Sequence, residues 1–292
     1  ITGTDVNSDF VCKGYENVNG TNIKCWRSTP HGYQTLRQAL ENSCNPSFMQ
    51  LGKRIGSTTL YKYYKAFGFF DKTNVALPGE TNSIFHDLSS VGPVELATMS
   101  FGQRFTITPL QMITAISAVA NDGILMQPRI VKEITNTDTG AVTTTDTVQV
   151  RQVLSKQTTE KVKSMMESVA TVGTGKTASI DGYSIGGKTG TSEPPIGNKE
   201  AGYVASYVAI SPVENTEVVL LLTLYKPLGH SHQGGTIAGP VVGQMLSEIL
   251  PYLGVTSNSQ NTSVSSETSN TTSTVKVPDI TNKTVTEAKK IL

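Results

Sequence analysis

The chain has 292 residues, 37% of them apolar and 16% charged, enough to bury one large globular core with something smaller beside it. Its 24 basic and 23 acidic residues leave a net charge of +1, which excludes both the basic field that gathers nucleic acid and the acidic block of a solvating tail. The longest apolar run, Val218 to Leu222, is far short of the ~20 residues that cross a bilayer, and the opening ITGTDVNSDF has no signal-peptide pattern, so an export signal or anchor is expected outside this sequence.

Residues 1–30 are rich in Gly, Asn, Thr and Asp, which predicts loops and a short hairpin. A helix is expected over 34–42 with Leu36, Ala39 and Leu40 on one face, stopping near Asn45 because the residue before Pro46 is pushed out of the α region. Asn45 is then expected to cap a second helix with Pro46 in its first turn and Phe48, Leu51 and Ile55 buried. Ser43-Cys44-Asn45 would thus occupy a short, rigid connection between two helices. Thr108-Pro109 opens a long apolar helix through Ile113, Ile116 and Ala120, closed by Asn121-Asp122-Gly123. Helices over about 158–172 and 239–253 enclose three strand signals, 183–191, 203–210 and 217–224, whose short links make them antiparallel. After Val255 the composition turns to Ser, Thr, Asn and Gln, which reads as a solvated linker over 256–274. The final VKVPDITNKTVTEAKKIL, 275–292, reads as a strand, a turn and the start of a helix. The expected fold class is α/β of the α+β type.

Residues 182–192, GYSIGGKTGTS, match two chemistries. Gly182, Gly187, Lys188 and Thr189 fit a phosphate-binding loop, but such a loop must open a helix, and Pro194-Pro195 with Thr189 and Thr191 favour extended chain instead. As a strand, Lys188-Thr189-Gly190-Thr191 puts two hydroxyls on one face to meet a carboxylate, while Gly190 lets a substrate approach the backbone. Lys188 then points the other way, where an ammonium can polarise a hydroxyl. Ser43 could relay a proton to a leaving amine, and Asn45 could hold an amide carbonyl. Each motif alone is weak, and Ser-x-Asn is often an ordinary helix cap.

Together, and in this order, these motifs resemble the transpeptidase domain of class B penicillin-binding proteins. The resemblance spans roughly residues 10–255 and includes HGYQTLRQALENSCNPSF, FGFFDKTNVALPGE, ELATMSFGQRFTITPLQMITAISAVANDG and GYSIGGKTGT. The last eighteen residues are similar to the start of a PASTA module. The family's first motif, Ser-x-x-Lys, should precede Ser43 by several tens of residues. The only match here, Ser273 to Lys276, lies in the linker without a rigid setting to activate a serine, so this sequence is expected to be the C-terminal part of a longer protein or one piece of a nicked one. Arg104 and Phe70 stand where the family usually has glycine.

The resemblance implies the penicillin-binding transpeptidase fold, an antiparallel sheet packed between helices with the N-terminal part of the fold outside this sequence, and a serine acyl-enzyme that cross-links peptidoglycan stem peptides and is acylated by β-lactams. Ser43 would hydrogen-bond the absent motif's lysine and Asn45 would orient the acyl amide. Lys188 would sustain a positive field beside Ser43, and Thr189, Gly190 and Thr191 would form the carboxylate site, with the Thr191 N–H as one oxyanion donor. It further implies an extracytoplasmic location behind an N-terminal membrane anchor, a glycosyltransferase among its cell-wall partners, and no organic cofactor. A serine β-lactamase-like hydrolase, which would need a deacylating base, and a non-catalytic cell-wall scaffold are the alternatives.

The three cysteines, Cys12, Cys25 and Cys44, cannot pair off completely. With His31 they make C-x12-C-x5-H-x12-C, a set that would serve a structural zinc, with Asp9 as a substitute ligand. The alternative is a Cys25–Cys44 disulfide that leaves Cys12 free.

Overall fold

The glycine- and asparagine-rich start of the chain folds into three short strands, two of which make the expected hairpin while the other pairs with a strand over 32–35. The computed structural model describes residues 4–194 and 197–257. Strands β1 (Asp9–Cys12), β2 (Tyr15–Val18), β3 (Thr21–Lys24) and β4 (Gly32–Thr35) form two antiparallel pairs, β2 with β3 and β1 with β4. The second pairing sets Cys12 opposite Gly32.

Helix α1 (Leu36–Glu41) begins later than the periodicity predicts, because Gln34 and Thr35 complete β4. Thr35 caps it: its hydroxyl accepts the Gln38 N–H at 3.2 Å while the Gln38 side chain accepts the Thr35 N–H at 2.9 Å. Helix α2 (Asn45–Ile55) carries Pro46 in its first turn as expected, but Asn45 is its first helical residue, and Cys44 occupies the cap position without a side-chain cap bond. The expected buried set is also rotated. Pro46, Ser47, Met49 and Gly52 face inward, while Phe48, Leu51 and Ile55 are only half buried. The reason is close packing: a Cβ at Gly52 would overlap Ser100, so the stripe 46-49-52 is the one that lets another helix approach.

Helices α3 (Ser57–Ala66) and α4 (Pro93–Met99) follow, the latter making that approach to α2. Phe70 packs edge-on against Phe85 at 4.7 Å between ring centres. Arg104 sits at φ +63°, a backbone conformation that favours glycine, and pairs with Glu95 of α4 at 3.6 Å. Helix α5 (Pro109–Ala120) matches its predicted start and stop, with a Thr108 capping box. Strands β5 (Ile124–Met126), β6 (Glu133–Thr135), β7 (Val142–Thr144) and β8 (Gln149–Gln152) form the antiparallel pairs β5–β8 and β6–β7. Helix α6 (Lys156–Thr171) follows, capped by Ser155.

Strands β9 (Gly186–Ser192), β10 (Val204–Ser211) and β11 (Val218–Tyr225) make an antiparallel sheet in the order β11-β10-β9. The short helix α7 (Gly234–Ile237) leads into α8 (Gly239–Tyr252). The central strand is buried on both faces, which is why it reads as a nearly continuous apolar run. Tyr207 and Ala209 pack with Val242, Leu246 and Leu250 of α8. Val208 and Ile210 pack with Met166 of α6 and with Ile116 and Ala120 of α5. The sheet therefore lies between helices, as expected. The chain runs through Lys188 and Thr189 as strand, so no phosphate-binding helix opens there. Apart from residues 256 and 257, the expected linker and the PASTA-like segment lie outside the described residues.

Candidate active site and cysteine cluster

Ser43 owes its position to the end of α1. Its N–H donates to Leu40 O at 3.1 Å, the Cys44 N–H donates to Ala39 O at 2.9 Å, and Ser43 itself is left-handed at φ +50°. That turn, followed at once by Pro46, points the Ser43 hydroxyl out of the helix pair toward β9. Lys188, paired with Val208 in the sheet, reaches back to it: Nζ donates to Ser43 Oγ at 2.8 Å and to Thr189 O at 2.8 Å. Lys188 as a residue is half buried, but its ammonium lies deep enough that burial lowers it to about 8 from the usual lysine range. The two motifs, 145 residues apart in sequence, thus meet through one charge-assisted hydrogen bond.

The other expected residues gather around this contact. Asn45 opens α2, and its side-chain amide makes a long, weak 3.4 Å bond to Lys24 O. Thr189 and Thr191 both face α7: Thr191 Oγ1 accepts the Gly234 N–H at 3.1 Å, and Thr189 Oγ1 lies 3.3 Å from Thr174 Oγ1. A Cβ at Gly190 would overlap Ser206 Oγ, so glycine is required here by the neighbouring strand of its own sheet. Because β9 is an edge strand, alternate backbone groups along it face away from β10.

Two participants escaped the sequence reading. Thr174, in the loop after α6, donates its N–H to Glu41 O at 2.9 Å and so joins the Ser43 turn to Thr189. Gly234 brings its amide to Thr191 because a side chain there would overlap Gly190 O and Ser206 O. The Gly-Gly pair before the last helix was the available signal for Gly234. Thr174 had none.

Beside Asn45 the structure brings all three cysteines and His31 together. One ligand atom from each of Cys12, Cys25, His31 and Cys44 lies within 4.8 Å of the others, and Cys25 Sγ is 3.6 Å from His31 Nδ1. The β1–β4 ladder brings Cys12 next to His31, the Cys25 N–H donates to Gly14 O at 2.8 Å, and Cys44 heads α2. All three thiols are buried and free. The hydrogen bond from the Cys44 thiol holds Cys25 below the usual thiol range, and the same contact pushes Cys44 up. Such a Cys/His set could hold a metal ion. Asp9 is not part of it: three residues before Cys12 on one strand, it projects from the opposite face and is exposed.

A sequence model of the penicillin binding protein transpeptidase domain matches residues 3–247. Stage V sporulation protein D of Bacillus subtilis is 37% identical over 286 residues, covering 97% of this chain and 44% of that protein. The peptidoglycan D,D-transpeptidase FtsI of Escherichia coli is 28% identical over 241 residues, covering 82% and 39%. The crystal structure of penicillin binding protein 3 from Mycobacterium tuberculosis complexed with aztreonam aligns with a TM-score of 0.76 at 26% identity, covering 87% of this chain and 59% of that one. The chain thus spans less than half the length of these two curated relatives.

Proposed function

The chain belongs to the penicillin-binding protein transpeptidase family, in its class B group, and from that premise we propose that its parent protein cross-links peptidoglycan as a serine D,D-transpeptidase. A serine from a Ser-x-x-Lys segment outside this sequence forms an ester with the penultimate D-alanine carbonyl of a stem peptide. The terminal D-alanine leaves as an amine, taking up a proton. An amine on a neighbouring stem then displaces the serine, and β-lactams acylate the same hydroxyl. Ser43 passes the proton toward the leaving amine, and Lys188 keeps the positive field that makes this transfer favourable. Asn45 orients the acyl amide. Thr189 and Thr191 take the terminal carboxylate beside Gly190, and the Thr191 N–H supplies one oxyanion donor, a contribution of ~3 kcal/mol to the barrier.

The single observation that carries this reading is the 2.8 Å bond from Lys188 Nζ to Ser43 Oγ, which makes one electrostatic unit of two motifs that are weak apart. Labelling the full-length protein with a fluorescent penicillin tests it. Stable labelling is expected; rapid turnover of the label would indicate a hydrolase, and no labelling a scaffold. The name of the Bacillus subtilis relative supports a role in sporulation, with division as the other reading; an extracytoplasmic location and partnership with a glycosyltransferase are proposed from the family resemblance alone. Residues 275–292 are proposed, on their sequence alone, to begin a PASTA module after the 256–274 linker.

The cysteine cluster is proposed as a structural zinc site. Two sulfur ligands at ~2.3 Å on a tetrahedral ion stand ~3.8 Å apart, and these four ligand atoms, within 4.8 Å of one another, would close by no more than about 1 Å to hold one. Cys12, Cys25, His31 and Cys44 would hold the ion, and Cys44 would tie the turn that presents Ser43 and Asn45 to the N-terminal strands.

A further inference from the structure

The last turn of α1 carries Ser43, and each of its exposed carbonyls has a partner. Ala39 O and Leu40 O accept the N–H groups of Cys44 and Ser43, a local arrangement that draws Ser43 into its left-handed conformation. The two carbonyls beyond them are held from outside the helix. Glu41 O accepts the Thr174 N–H, and Asn42 O accepts the indole N–H of Trp26 at 2.9 Å.

The Asn42 carbonyl belongs to the peptide plane that ends in the Ser43 nitrogen. A peptide plane moves as a unit, so Ser43 leaves its left-handed conformation most easily when this plane flips and carries the Asn42 oxygen to the other side. Here the plane is held at both ends, by Leu40 O on the Ser43 N–H and by Trp26 on the Asn42 oxygen. A non-glycine residue at φ +50° persists only where its surroundings over-determine it. Trp26 is itself fixed: it follows Cys25, and its ring lies against His31 with centres 6.1 Å apart, tilted by 50°. Packing alone does not account for this placement, since the side chain is about half exposed, at 48%. An exposed indole whose one polar atom grips the carbonyl before a site residue has a geometric use.

We propose that Trp26 is a positioning residue for Ser43: its indole N–H locks the Asn42–Ser43 peptide plane so that the serine hydroxyl stays within reach of Lys188. This rests on the transpeptidase reading only for its consequence in catalysis. Because the bond is open to water, a lost donor is partly replaced, so the expected effect is a moderate loss of geometry rather than collapse of the site.

The test uses the full-length protein with Trp26→Phe, which keeps an aromatic ring, and with benzothienylalanine at position 26, which replaces the N–H by sulfur at nearly constant shape. Stopped-flow acylation by a fluorescent penicillin separates the acylation rate constant from non-covalent affinity. Both variants should lose roughly fivefold in rate constant with affinity unchanged, the size of one solvent-exposed hydrogen bond. In a Ser43→Ala background, Trp26→Phe should change nothing further. Wild-type rates in both variants, or the same loss in the Ser43→Ala background, would overturn the proposal. If the wild-type protein is not acylated at all, the transpeptidase reading fails, and amide exchange decides the matter for Trp26. The Ser43 N–H should then exchange faster in Trp26→Phe than in wild type, and equal exchange would refute the lock.

Discussion

The sheet β9–β11 and the cysteine-lined corner formed by β1–β4 solve the same problem, holding a site residue still, by different physics. The sheet fixes Lys188 through a two-sided apolar sandwich in which β10 is covered by α8 on one face and by α5 and α6 on the other. The corner fixes Ser43 and Asn45 with four-residue strands, a helix end and a cluster of four soft ligand atoms. Burial is spread over many side chains and tolerates the loss of one, whereas a cluster fails when one member fails. The site lies on the seam between them, so its two halves should respond differently to mutation, chelation and pH.

The largest effect is expected where the two halves touch. Lys188→Ala in the full-length protein should slow penicillin acylation by roughly three orders of magnitude, within the range for loss of an electrostatic stabiliser, while its circular dichroism and melting temperature stay close to wild type. Labelling at the normal rate would remove Lys188 from the mechanism.

Next in size is the corner's dependence on metal. Elemental analysis should find about one zinc per chain, and a strong chelator should lower both stability and acylation, because such an ion binds the folded state and not the unfolded chain. Metal-free protein with a Cys25–Cys44 disulfide, one reactive thiol and full activity would refute the zinc site.

Gly52→Ala probes the α2–α4 packing behind the corner. The added methyl overlaps Ser100, so a cost of about 1–3 kcal/mol is expected from overpacking, read by urea denaturation. A neutral result would show that α2 and α4 can separate without consequence for the turn above them.

The response to pH has opposite signs for activity and stability. Burial lowers Lys188 to about 8, so between about 8 and 10.5 the unfolded chain holds more protons at this residue than the folded one. The destabilisation caused by burying the ammonium is therefore fully present below about 8 and is relieved as pH rises toward 10.5. Acylation should move the other way, falling as pH rises through about 8 and the positive field is lost. Lys188→Arg, which stays charged, should abolish that alkaline limb even if its rate is lower. An unchanged limb in the arginine variant would assign it to another group.

The same contrast explains what could be read from the sequence. Helix α5, with Thr108 before Pro109 and Asn121-Asp122-Gly123 after it, and the three strands around Lys188 follow local rules of capping and periodicity, and the structure matches them within a few residues. The cysteines and His31 were legible as a set because few chemistries use those residue types together. The inward face of α2 was not, since Gly52 matters through the neighbour it admits and not through any apolar character of its own. Thr174, Gly234 and Trp26 act through single long-range hydrogen bonds to backbone or hydroxyl groups, and such contacts leave no period in the sequence. The pair β6–β7 carried no expectation either, because its residues are all exposed and do not alternate between a core and a solvent face.

Ser43 and Lys188, bonded at 2.8 Å, are proposed to act as one unit across the seam. A double-mutant cycle on acylation of the full-length protein by a fluorescent penicillin measures this directly, with Ser43→Ala, Lys188→Ala and the double variant followed to completion. Strong non-additivity is expected, with the double variant acylating about as slowly as Lys188→Ala alone. Losses that multiply across the two substitutions would mean that the serine and the lysine work independently, and would contradict it.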